Sequence, residues 1–227
     1  MLKEFGPSLF VIDGPSLSFL GLPLPTRMVV ARLADGSAWV WSPIPLTDEV
    51  EAAVLSIGNV RHIVTPNKVH NLYLAEWADR FPEAKIYAPP GLAKRRPNLR
   101  FDEALGDAPP EAWTNEIDQL IFKGSFALAE VIFFHRPSRT AILGDLALRV
   151  APEDARGLKG FLMRRIGIVG NKGSTPLELR FTYLRRALAR QSRDELLEWE
   201  PERFIVAHGA CAESNATEIL RGTLGWI

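Results

Sequence analysis

The chain has 227 residues, 47% hydrophobic and 24% charged, which supplies a sizeable core and excludes a disordered polymer. Lys plus Arg and Asp plus Glu number 27 each, so the zero formal charge offers no general attraction to nucleic acid or an anionic membrane. The single cysteine, Cys211, excludes an intramolecular disulfide and a cysteine-based zinc finger.

The first residues, from Met1 to Pro7, include an acid and no apolar run of signal-peptide length. No stretch approaches the ~18 apolar residues a membrane span requires. A cytoplasmic protein without nucleic-acid or membrane partners is the expectation. No internal repeat, low-complexity tract or linker interrupts the sequence, so residues 1–227 are expected to form one domain.

The opening part reads as strands and turns. Residues 9–12 are a short apolar run stopped by Asp13-Gly14-Pro15. Residues 28–33 and 38–41 flank Asp35-Gly36, a strong hairpin signal. A helix follows, with Thr47 as N-cap and Asp48 and Glu49 in the first turn, and ends near Gly58. Residues 60–64 form a strand. Leu74, Trp77, Ala78 and Phe81 recur at helical spacing, which predicts a helix from near His70 to before Pro82. Lys85–Ala88 is a further strand, and the alternation indicates an α/β fold.

The middle returns to strands at Ile117–Phe122, 129–134 and Thr140–Leu143, with a turn at Arg136-Pro137-Ser138. Residues 152–175 mix Gly, Arg and apolar residues and suggest a cap or lid near a site. Thr175-Pro176-Leu177-Glu178 and Ser192-Arg193-Asp194-Glu195 both read as capping boxes. Residues 203–207 form a last strand that runs into His208-Gly209.

Three apolar strands are each followed by a residue able to bind a metal or move a proton: His70, Asp145 and His208. In α/β folds sites collect beyond the carboxyl ends of strands, because the sheet aims loops that supply the chemistry. Two imidazoles and a carboxylate suit Zn²⁺ or Fe²⁺ and leave positions open for water and substrate. The competing interpretation is that each residue hydrogen-bonds locally at its strand end.

Val69-His70-Asn71, the run from Glu130 through His135-Arg136-Pro137-Ser138 to Gly144-Asp145, and Ala207-His208-Gly209 resemble the metallo-β-lactamase-fold hydrolases. Among them the chain is most similar to a branch catalogued as domain of unknown function 4336. The resemblance implies an αββα sandwich of two mixed β-sheets flanked by helices, with the site along one edge of the sheets. Against the family signature His-x-His-x-Asp-His, this chain has Pro66, Lys68 and Val69 in place of the first three ligands and retains His70. The mid-chain histidine falls near Phe126, where none stands. Asp145 matches the bridging Asp and His208 the closing His. The resemblance therefore implies that the first metal position is lost, while His70, Asp145 and His208 keep three of four ligands of the second.

Two functions follow as expectations. One is a mononuclear metallohydrolase, with one Zn, Fe or Mn ion on His70, Asp145 and His208, attacking an ester-like small-molecule substrate. The other is a non-catalytic ligand-binding or interaction protein without metal, in which the Lys68 ammonium fills the vacated position and pairs with Asp145. Asn67 and Asn71 are candidates to bind substrate or water, although Asn at a helix start is more often a cap. His62 and His135 read as packed or strand-edge residues and Cys211 as an inert side chain. The clusters Lys94-Arg95-Arg96, Arg164-Arg165 and Arg185-Arg186 read as solvated charge. The segment 170–175 has phosphate-loop composition without the required residue order.

Overall fold

A computed structural model describes residues 1–19, 22–150, 152–153, 155–165, 167–170 and 173–227. The first sheet has seven strands in the order β1 (Leu2–Gly6), β2 (Leu9–Asp13), β5 (Arg27–Arg32), β6 (Ser37–Trp41), β7 (Asn59–Val64), β8 (Lys85–Ala88) and β9 (Glu103–Ala104). Its first four strands are antiparallel neighbours, and β6 through β9 run parallel. A small hairpin of β3 (Leu17–Phe19) and β4 (Leu22–Leu24) stands apart. The β5–β6 turn forms at Asp35-Gly36 as expected. Gly36 takes a φ of 81°, and the Asp35 carboxylate accepts from the Ser37 backbone N–H at 2.8 Å.

The second sheet has four strands in sequence order, β10 (Ile117–Phe122), β11 (Glu130–His135), β12 (Thr140–Leu143) and β13 (Arg203–Val206). The first three are antiparallel, and β13 joins β12 in parallel. Alternation along each strand sorts side chains between two faces. Trp39, Trp41 and Val64 from the first sheet meet Val131, Phe133, Ile142 and Ile205 from the second in a buried layer. The opposite face of the first sheet, with Val30, Val40 and Ile63, packs on Val54 of α1 (Asp48–Leu55) and Leu74 and Trp77 of α2 (Leu74–Arg80). The opposite face of the second, with Ile132, Ala141 and Phe204, packs on Ala189 and Leu196 of α6 (Arg186–Glu198) and Leu220 of α7 (Ala216–Thr223). The layers are helix, sheet, sheet, helix: the αββα sandwich.

Thr47 caps α1 as expected, its hydroxyl accepting from the Val50 N–H at 3.3 Å. Three local expectations fail. The helix after β7 begins at Leu74, not His70, because residues 65–71 are held as a loop by side chains described below. Thr175-Pro176-Leu177-Glu178 starts only the short α5 (Leu177–Arg180), with no side-chain cap. Its Thr175 hydroxyl accepts from the Trp226 indole instead. Ser192 opens no helix but lies inside α6, where its hydroxyl accepts from the Lys123 N–H at 3.1 Å and ties the helix to the end of β10. Among the described residues, no helix is long and apolar enough to cross a membrane.

Candidate metal centre

The three residues singled out in the sequence converge. β7 ends at Val64 before His70, β12 at Leu143 before Asp145, and β13 at Val206 before His208. One ligand atom from each lies within 4.8 Å of the others. His70 Nε2 is 3.3 Å from Asp145 Oδ2, and His208 Nε2 is 3.3 Å from Asp145 Oδ1. The two rings lie 5.2 Å apart, centroid to centroid.

Each imidazole is anchored through its other nitrogen. His208 Nδ1 lies 2.6 Å from the Pro25 carbonyl oxygen, which can only accept. The Nδ1–H therefore donates to that carbonyl, and Nε2 faces Asp145. His70 Nδ1 is 2.7 Å from the Ser42 hydroxyl. Ser42 follows β6 in a left-handed conformation, with a φ of 53°, and its N–H bonds the Val64 carbonyl at the end of β7. His70 Nε2 is buried and makes no hydrogen bond, although it lies at ion-pair distance from the carboxylate. An outward-anchored ring with an unbonded inward nitrogen is the arrangement a metal-binding histidine requires.

Beneath the carboxylate lies a second acid that the sequence reading did not single out. Glu130 opens β11 and is fully buried. It accepts the backbone N–H groups of Gly144 at 2.9 Å and Asp145 at 2.6 Å, with Leu146 at 3.2 Å, and so clamps the turn that carries Asp145. The Asn67 amide donates to both acids, at 3.0 Å to Glu130 Oε2 and 2.8 Å to Asp145 Oδ2. Its carbonyl oxygen accepts from the Val69 and His70 N–H groups, and Thr65 Oγ1 donates to the His70 carbonyl at 2.7 Å. The side chains of Asn67 and Thr65 thus satisfy loop backbone that a helix would otherwise satisfy, which explains the late start of α2. The signal for Glu130 was present: an acid opening a strand whose next four residues are apolar.

The electrostatics follow from this packing. Burial disfavours charge on His70, but the adjacent Asp145 carboxylate outweighs it and raises the ring's pKa above the usual value. Burial likewise opposes ionisation of Asp145, yet the charge on His70 and the contact from His208 hold it well below the usual carboxylate range. Glu130 is pushed upward by burial and then by the Asp145 charge, against the Asn67 hydrogen bond.

Lys68 is not where the metal-free alternative needs it. It enters no ion pair among the described residues, and its Nζ lies 3.2 Å from where a Cβ on Gly91 would sit. The group that satisfies Asp145 in its place is the Asn67 amide. Asn71 is also committed, donating to the Lys68 carbonyl and accepting from Arg96 Nη1 at 2.6 Å. Both asparagine side chains are thus tied to the protein itself, and one arginine of the 94–96 cluster has a structural role. Val69 and Phe126, where the resemblance placed lost ligands, are 55% and 73% exposed.

The remaining candidates are structural. His135 is fully buried, with Nδ1 2.7 Å from Ser138 Oγ, and burial pulls its pKa down to about 4. His62 is buried against Tyr87 and Trp113 and is likewise pulled down to about 4. Cys211 Sγ is 3.0 Å from Arg27 Nη1, and burial pushes the thiol up, which keeps it unreactive. The segment 152–175 contains α4 (Gly157–Arg165), whose Met163 packs with Ala155 and Ile168. It pairs with the residues that follow Asp145, Val169 with Val150 and Ser174 with Leu148, while Arg149 between them pairs with Gly209 beside His208. Residues 151, 154, 166, 171 and 172, including part of the 170–175 loop, lie outside the described residues.

A model of the family described as Domain of unknown function (DUF4336) matches residues 16–158. No curated protein matches the sequence. Among solved structures, DIM-1 metallo-β-lactamase is similar at 13% identity and a TM-score of 0.68, over 100% of this chain and 97% of that one. The metallo-β-lactamase from Pontibacter korlensis is 12% identical with a TM-score of 0.68, over 99% and 97%. The one from Hirschia baltica is 12% identical with a TM-score of 0.63, over 99% and 96%. At these identities the likeness establishes the fold.

Proposed function

The chain belongs to the DUF4336 family and has the metallo-β-lactamase fold, and from that premise we propose that it is a mononuclear metallohydrolase acting on an ester-like small molecule. His70, Asp145 and His208 would hold one Zn, Fe or Mn ion. The observation that carries this reading is the pair of anchored imidazoles with Nε2 atoms converging on one carboxylate, one of them buried without a hydrogen bond.

When bound, the ion would supply a Lewis acid and lower the pKa of a water toward about 7. The protein's own groups prepare for this. The Pro25 carbonyl and Ser42 hydroxyl fix the ring orientations, and Glu130 and Asn67 fix the Asp145 turn. The depressed pKa of Asp145 keeps it an anionic ligand through the physiological range.

One observation favours a non-catalytic fold member. Asp145 already accepts from Asn67, and an imidazolium at His70 would neutralise it without a metal. The two readings separate in an activity experiment. Protein reconstituted with Zn²⁺, Fe²⁺ or Mn²⁺ under anaerobic conditions is assayed against a panel of small aryl and alkyl esters. Hydrolysis that a chelator abolishes and that His208→Ala lowers by about 10²-fold or more supports the enzyme. No metal-dependent turnover with any ion and any ester contradicts it.

A further inference from the structure

Phe126, Phe181 and Leu184 are 73%, 72% and 75% exposed, and Leu177 and Leu188 are also exposed. They belong to two segments that lie against each other. Ser125 pairs with Tyr183, the Phe126 N–H donates to the Thr182 carbonyl at 3.1 Å, and the Arg185 N–H donates to the Gly124 carbonyl at 3.2 Å. Tyr183 is turned inward and buried, so the segment is firmly seated while its neighbours face solvent. Single exposed apolar residues are ordinary, but five gathered on one seated pair of segments mark an interaction surface.

The charge around them is one-sided. Segment 177–190 carries Arg180, Arg185, Arg186 and Arg190 against one acid, Glu178, in a chain whose net charge is zero. Arg180 is committed to the Thr175 carbonyl and the Trp226 ring. Arg185, Arg186 and Arg190 are exposed and enter no ion pair among the described residues. We infer that this surface docks on an anionic lipid membrane, with Phe126, Phe181 and Leu184 entering the interface and the three arginines facing the headgroups. Apolar side chains flanked by unpaired cations match that surface in both chemistries. The balanced overall charge, which argued against a membrane partner, conceals this local asymmetry.

The test is sedimentation of the full chain with vesicles, in chelator so that the result is independent of the metal centre. Phosphatidylcholine vesicles are compared with vesicles containing about 30% phosphatidylglycerol. The expected result is partition at least about tenfold stronger onto the anionic vesicles, weakening as salt is raised. Phe126→Ser with Phe181→Ser, and separately Arg185→Glu with Arg186→Glu, should each weaken it by about tenfold or more while circular dichroism and melting stay unchanged. Equal partition onto both vesicle types, or wild-type partition by the folded variants, overturns the inference. Absence of vesicle binding together with a dimer that the Phe variants convert to monomer also overturns it, in favour of self-association.

Discussion

At the residue scale, the centre depends on Glu130 as much as on the three ligand residues. Its carboxylate accepts the N–H groups of the Asp145 turn and the Asn67 amide, and both its oxygens are used. Glu130→Gln would turn an amide N–H₂ toward at least two of those donors, whichever oxygen it replaces. Leaving buried donors unsatisfied costs about 1–3 kcal/mol per group, so the variant should lose about 2–4 kcal/mol in urea unfolding and bind metal more weakly. Unchanged stability would show that the clamp is not needed. A second residue-scale prediction concerns pH. His62 and His135 are held neutral in the fold, each down at about 4, whereas in the unfolded chain they protonate near 6.5. The unfolded state therefore binds more protons, and stability falls as pH drops from about 6.5 toward about 4, by about 3 kcal/mol for each histidine. His70 acts in the opposite sense in metal-free protein: its raised pKa stabilises the fold below about 6.5, and the contribution is lost as pH rises through the folded value. Urea titrations across this range should show His62→Gln with about half the acid sensitivity of the wild type. An identical pH profile would contradict the assignment.

At the element scale, the loops rather than the strands decide the geometry. Gly209 follows His208 with a φ of 107°, and a Cβ there would sit 2.2 Å from the Arg149 carbonyl oxygen. Gly209→Ala must strain the turn and displace its backbone. It should lower the melting temperature and weaken metal binding together, whereas an unchanged affinity would mean that the turn does not position His208. Most of the longer strands and the hairpin at Asp35-Gly36 were legible because alternation and turn chemistry are local, whereas the order of strands in the two sheets was not. The loop 65–71 was not, because the spacing of Leu74, Trp77, Ala78 and Phe81 states a helical period and not where the helix begins. Its start is delayed by the Asn67 and Thr65 side chains acting on the backbone and on Asp145, 78 residues away from Asn67. Ser192 misled for the same reason. A hydroxyl before Glu195 is locally a cap, but in the fold it meets the Lys123 N–H on another element.

At the scale of the whole molecule, the α/β class was readable from alternation, the αββα layering only from the resemblance, and the grouping of His70, Asp145 and His208 from three strand ends. The partner of Asp145 was misassigned because Lys68 and Asn67 are neighbours in sequence. Which of them faces the carboxylate is fixed by the loop path, and the loop path depends on Glu130. The centre is thus one buried unit spanning both sheets, and its state should be visible in a single measurement. Wild-type protein and Asp145→Ala, both purified without chelator and reconstituted identically, are analysed for metal content by mass spectrometry. The account predicts one Zn, Fe or Mn ion per wild-type chain, with a melting temperature raised by the ion, and loss of that ion in the variant. Wild-type protein that binds no metal after reconstitution, or a variant that retains a full equivalent, would contradict it.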